Sequence, residues 1–142
     1  MRALRRFAPL AALLALTLVV TACGDDDEPA GTTEAVTFGE GEIPSSVPED
    51  FPIPAGAEIG NTLVDRINNN TEFSLTIRSD PTTAVQFFQV GLVNQGYVVE
   101  SSDGNQTLWE ITFSKGEALT GSVVFTAPAD DLVAAVVSLA TS

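Results

Sequence analysis

The chain contains no histidine. That removes the side chain most often used as a general base and as a transition-metal ligand. A serine or cysteine nucleophile would have no imidazole to activate it. Cysteine occurs once, at Cys23, so no internal disulfide can form and zinc would find neither a thiolate set nor an imidazole. Cations are scarce: six Lys and Arg stand against nineteen Asp and Glu, a net charge of −13 over 142 residues. Arg2, Arg5 and Arg6 precede Cys23. A chain starting at Cys23 therefore keeps only Arg66, Arg78 and Lys115 and carries −16. Nucleic acid is excluded as a partner, because its affinity for proteins comes mainly from Lys and Arg on phosphates. An anionic lipid surface offers such a chain no electrostatic help either. No Gly-x-x-x-x-Gly-Lys loop is present to cradle phosphates, and no motif implies a cofactor. Only paired carboxylates remain for acid–base chemistry. Glu100, Asp103, Glu110 and Glu117 fall near hairpin turns or on polar strand faces, where solvated charge accounts for them. The expectation is a protein that is not an enzyme.

What is present is concentrated first at the N-terminus. Met1-Arg2-Ala3-Leu4-Arg5-Arg6 is a short positive segment, and Phe7 to Val20 is an apolar core of signal-peptide length. A bilayer-spanning helix takes roughly 20 apolar residues, more than this core supplies. Val20-Thr21-Ala22-Cys23 resembles the lipobox of bacterial lipoproteins: an aliphatic residue, two small residues, then cysteine. The resemblance implies a signal peptide over 1–22, cleavage before Cys23, and a thioether from Cys23 to diacylglycerol, often with further acylation of the new amino group. It also implies a place: exported and lipid-anchored to the outer face of the cell membrane. In a host with two membranes, Gly24 rather than an acid beside Cys23 points to the outer one. Two acyl chains anchor stably, whereas one gives marginal binding at about 0.8 kcal/mol per buried CH₂. The anchor thus needs no basic patch. An odd cysteine in an exported chain calls for such an explanation.

Residues 23–46 read as a lipidated, acidic, disordered linker. Nine acids and no base lie between Gly24 and Asp50, with Gly, Pro and Thr and few apolar residues. A flexible chain of that length spans roughly 30 Å and self-repulsion extends it. Ala35-Val36-Thr37-Phe38 is a brief apolar patch, a candidate for an extra docked strand, but is counted here with the linker. Asp25-Asp26-Asp27-Glu28 offers carboxylates to a divalent cation, but contiguous acids on a floppy chain form no preformed cage.

Residues 47–142 read as one α+β globular domain. Val47 to Ala57 is punctuated by proline and extended, with Phe51 and Ile53 packing at the domain edge. Ile59–Ile67 reads as a strand. Asn68-Asn69-Asn70 makes a turn, since asparagine tolerates the left-handed region. Those residues, with Asp65 and Glu72, lack the spacing of a calcium loop. Thr71–Arg78 alternates, with Phe73, Leu75 and Ile77 on the buried face. Asp80-Pro81 opens a helix as N-cap and first residue. Its apolar stripe is Ala84, Val85, Phe88, Leu92 and Val93, and Gly96 ends it. Tyr97–Ser101 and Thr107–Phe113 form a hairpin about Asp103-Gly104. Leu119–Thr126 follows, and Leu132–Leu139 is strand or helix, with valine content and the preceding meander favouring strand.

The expected architecture is a two-layer fold: a mainly antiparallel sheet in the order ββαββββ with one helix packed on one face. The proline-rich lead-in and the helix ending near Gly-Tyr resemble small uncharacterised lipoproteins of actinobacteria, a resemblance that implies no activity. Tyr97 and Trp109, each the only residue of its kind, are candidates to line a pocket between helix and sheet, against plain core packing. The leading reading is a non-catalytic binding domain whose partner is an envelope protein or glycan. The rival is a carrier of lipid or a small apolar ligand, and a carboxylate-dependent hydrolase comes third.

Overall fold

The computed structural model describes residues 34–142. The segment read as a signal peptide, the lipobox-like Val20-Thr21-Ala22-Cys23 and the first part of the expected linker lie outside the described residues. Seven strands and one helix succeed one another: β1 (Val36–Glu40), β2 (Glu58–Asp65), β3 (Asn70–Ile77), α1 (Pro81–Asn94), β4 (Val98–Gly104), β5 (Leu108–Lys115), β6 (Leu119–Ala129) and β7 (Leu132–Thr141). The strands make one sheet in the order β1-β2-β3-β7-β6-β5-β4. Every pairing is antiparallel. The fold is a mostly antiparallel seven-stranded sheet with a single helix against it.

Alternation builds the central strands. On β3, Phe73, Leu75 and Ile77 are buried, and on β7 Val133, Ala135, Val137 and Leu139 face the same way. β7 is a strand although its alanines permit a helix. Its apolar residues fall at every second position, which suits a pleat with one buried face. Val133 to Ala140 pairs without interruption against β3. Between β2 and β3, Asn69 sits at φ 51°, the left-handed conformation that asparagine accepts at low cost. The Asp65 carboxylate closes that turn, accepting from the Ile67 and Asn68 amides and the Asn68 side chain.

The helix begins as its sequence dictates. Asp80 accepts a hydrogen bond from the Thr83 amide at 3.0 Å and Pro81 is the first helical residue. Gly96, at φ 80°, ends it. The Gly96 amide bonds to the Val93 carbonyl and the Tyr97 amide to the Leu92 carbonyl, a Schellman closure that needs a residue at home in the left-handed region. β3 and β4 run in the same direction but lie four strand spacings apart, about 19 Å. A helix of 14 residues is about 21 Å long, so α1 crosses over β7, β6 and β5 to deliver the chain to the far edge. Ala84, Val85, Phe88 and Leu92 are buried beneath it. Val93 does not join them and is 58% exposed. It stands about 100° around the helix from Leu92, and with Phe87 and Val90 forms an apolar stripe on the helix's outer side.

Two parts of the chain before β2 also depart from expectation. The segment 36–40, counted with the linker, is the edge strand β1, paired from Val36↔Asp65 to Glu40↔Asn61. Arg66 secures it, its guanidinium donating to the Glu34 carbonyl and to Thr37 Oγ1. The folded unit therefore starts before residue 47. Phe51 lies in the middle of the core, not at an edge, and is 5% exposed. Its ring is 5.8–6.3 Å from those of Phe73, Phe88, Tyr97 and Phe113. The proline-fixed lead-in drives this side chain onto the inner sheet face beside the helix. Among the described residues no helix is long and apolar enough to cross a membrane.

Candidate functional site

A groove of about 440 Å³ opens where the first half of α1 meets the β4–β5 turn. Pro81, Thr82, Val85, Gln86 and Gln89 come from the helix. Their spacing places them on one side of it, rotated from the stripe that covers the sheet. Asn105, Gln106 and Trp109 come from the hairpin. The site thus pairs one aromatic ring with four carboxamides, and among the described residues no ionisable side chain lines it.

Gly104 fixes the hairpin's shape. A Cβ there would stand 2.4 Å from the Leu108 carbonyl oxygen and 2.5 Å from Trp109 Cα, so no larger residue fits without displacing β5. Asp103 and Gly104 consequently belong to β4, paired with Glu110 and Trp109, and do not form the turn expected there. The turn is Asn105–Thr107. The Asn105 side-chain oxygen accepts from the Thr107 amide, the Thr107 hydroxyl and the Leu108 amide at 2.8–3.1 Å. That oxygen is fully engaged, and the Asn105 amino group remains as a donor at the groove.

Trp109 is held by its edge. Its indole Nε1 donates to Ser102 Oγ at 2.8 Å, and Gln89 Nε2 donates to the same oxygen at 2.6 Å. The Ser102 hydroxyl thereby locks the ring and the Gln89 carboxamide in fixed orientations, leaving the Gln89 carbonyl oxygen as an acceptor. Gln86 and Gln106 are exposed. A second depression of about 380 Å³ shares Pro81, Thr82 and Gln106 with the first and continues toward Asp80 and Asp130. Hydrogen bonds from the Thr83 hydroxyl and then the Thr83 amide hold the Asp80 carboxyl below its ordinary value.

The two aromatic residues singled out from the sequence occupy different places. Trp109 lines the groove; Tyr97 does not. Tyr97 is buried with Phe51 and Phe113, at ring distances of 6.0 and 5.6 Å. Its hydroxyl donates to Asp50 at 3.2 Å, and the Lys115 ammonium lies 4.4 Å from its ring centroid while also bonding Asp50. Burial, and after it the Asp50 charge, push the Tyr97 hydroxyl above its ordinary value. The Lys115 bond, opposed by desolvation and aided by Tyr97, draws the Asp50 carboxyl down. This trio ties the lead-in segment to the sheet.

Three of the carboxylates considered for acid–base work share one sheet face, where Glu100 and Glu110 line a shallow depression of about 380 Å³, and only Glu117 stands apart. Asp103 and Glu110 are directly paired on the sheet face opposite Trp109, Glu100 is exposed at the β4 bulge, and Glu117 lies in the β5–β6 turn. Among the described residues no three His, Cys, Asp or Glu side chains are grouped to hold a metal ion. The sheet face opposite Trp109 carries mainly small side chains, such as Thr112, Ser122 and Ser138 in one cross-strand row. Phe38, Val98, Leu108 and Val136 are its exposed apolar members.

The groove was only half legible beforehand. Trp109 stood out by being unique. The amides did not, because Gln86 and Gln89 come together with Asn105 and Gln106 only through the helix crossover. The available signal was their shared chemistry: four carboxamides on two segments, the second of them just before the tryptophan. Comparison of the chain with protein-family models, with curated proteins and with solved structures finds no match.

Proposed function

We propose that this is an exported lipoprotein, held on the outer face of the cell membrane by acyl chains on Cys23, whose folded domain is a non-catalytic binding module. In a host with two membranes the anchor would be in the outer one. We read the domain as two layers, α1 over one face of the sheet, with the order ββαββββ from residue 47 onward and β1 as an added edge strand. The ligand is an envelope component, glycan or protein, and its site is the groove at Trp109. The lipobox-like Val20-Thr21-Ala22-Cys23 supports the anchor. One observation carries the site: in a chain of net charge −13, the groove is lined by a tryptophan and carboxamides without one ionisable group among the described residues. Pockets that bind ligands combine apolar surface with a few placed polar groups in this way.

The rival reading, a carrier of lipid or small apolar ligand, draws on the same groove, whose floor includes Val85, Pro81 and the indole. Wild-type and Trp109→Ala chains, each lipidated and solubilised from membranes, separate binding from its absence. The wild type should retain an envelope component that Trp109→Ala loses. Equal retention by both, or by neither, removes the groove as the site.

A further inference from the structure

Resting on the groove being a binding site, we infer that its ligand class is a neutral saccharide, bound with a sugar ring against Trp109 and its hydroxyls on the carboxamides. Three features of the site select this chemistry. The first is charge. The domain is strongly acidic, and its three basic side chains are all engaged elsewhere: Arg66 with Glu34 and Thr37, Arg78 with Glu58, and Lys115 with Asp50. An anionic ligand would find no counter-charge at the groove, and a cationic one would find no carboxylate in it.

The second is the donor and acceptor set. Gln89 presents a carbonyl oxygen held in place by its amino group's bond to Ser102. Asn105 presents an amino group held in place by its oxygen's three turn bonds. Gln86 and Gln106 make no hydrogen bond among the described residues and can supply both donor and acceptor. Adjacent sugar hydroxyls each donate and accept, and a carboxamide matches such a pair. An acyl chain in the same place would strip water from these amides and return nothing, an unfavourable exchange.

The third is the ring. The C–H bonds on one face of a pyranose point positive hydrogens at the negative π-face of an indole. Trp109 is fixed by its Nε1 bond to Ser102, so the platform exists before the ligand arrives and costs little to order. The shared wall at Pro81, Thr82 and Gln106 opens into the second depression. A chain of sugars can therefore run on past Gln106, which favours an oligosaccharide over a single ring.

Trp109 is the only tryptophan, so its fluorescence reports on this groove alone. The full lipidated chain, reconstituted in vesicles, is titrated with neutral trisaccharides of glucose, mannose, arabinose and N-acetylglucosamine. A parallel titration uses a soluble, short brominated fatty acid, a quencher of tryptophan on contact. At least one trisaccharide should change the emission saturably. Gln86→Ala with Gln106→Ala should weaken that binding well over tenfold, at roughly fivefold for each lost carboxamide. Both side chains are exposed and unbonded, so the double variant keeps its fold, checked by circular dichroism. Saccharide binding that the double variant leaves unchanged overturns the inference. Saturable quenching by the brominated acid with silence toward every sugar also overturns it, while leaving the groove as a binding site. Silence toward both overturns the inference, and the groove then stands as a site only if the Trp109→Ala chain loses an envelope protein that the wild type retains.

Discussion

Phe51 shows how a residue in a proline-rich lead-in becomes structural. Pro48, Pro52 and Pro54 limit the backbone on either side of it, and the ring enters a cluster with Phe73, Phe88, Tyr97 and Phe113. Removing it leaves a cavity in a site walled by aromatic rings, which collapse poorly. Phe51→Ala should cost about 3–5 kcal/mol, seen as a lower urea midpoint at unchanged slope. A loss under about 1 kcal/mol would mean that the segment only rests on the domain. The neighbouring trio adds a pH dependence. The Asp50 carboxyl titrates below its ordinary 3.8 in the folded chain, so its contribution is present above that value and is lost as pH falls through the lower, folded one. Asp65 and Asp80 act in the same direction. Tyr97 is raised above 10.0, so its contribution is whole below pH 10 and is lost as pH rises beyond it. Urea midpoints should therefore hold from about pH 5 to 9 and fall on both sides. Asp50→Asn should soften the acid fall and Tyr97→Phe the alkaline one, and unchanged limbs would rule out this assignment.

At the scale of elements, the β4–β5 hairpin connects fold to site. Gly104 brings the two strands so close that a methyl group at its Cα would meet the β5 backbone. Gly104→Ala should push β5 away at Trp109, break the Trp109–Ser102 bond and shift the indole emission toward that of a solvated ring. Unchanged emission would show that the hairpin absorbs the methyl group elsewhere. The elements that were legible in the sequence share one property: their signal is local. β3 declared itself by alternation at Phe73, Leu75 and Ile77. The helix did so by Asp80-Pro81 at one end and Gly96 at the other. What escaped depended on distant partners. β1 offered only a brief apolar patch, a candidate strand set aside in favour of linker, and becomes a strand because β2 offers a free edge and Arg66 pins it. Val93 suits a stripe by composition, yet the stripe is set by which side of α1 meets the sheet. Asp103-Gly104 is a strong turn signal, but Asn105 supplies three turn bonds one residue later and wins.

For the whole molecule, charge and anchor have to be weighed together. From Cys23 onward the chain has three bases against nineteen acids. The bases are scattered over β2–β3 and β5 and each already has a protein partner, so no face presents a basic patch to lipid headgroups. Attraction between such a domain and an anionic membrane is absent, and the residual force is repulsion screened over about 10 Å at 0.1 M salt. Apolar contact is divided too: among the described residues Phe87, Val90 and Val93 lie on the outer side of α1, whereas Phe38, Val98, Leu108 and Val136 lie on the opposite face of the sheet. Membrane association on this view depends on the acyl chains at Cys23. Two chains hold stably, and their hold does not weaken with salt. A 1 M salt wash of membranes should therefore leave the wild-type chain in the pellet. A Cys23→Ala chain, exported behind a signal that an ordinary signal peptidase removes, should appear in the soluble fraction at low and high salt alike. If that variant still sediments with membranes after its signal has been removed, a surface of the folded domain binds the envelope directly, and the role assigned to Cys23 fails.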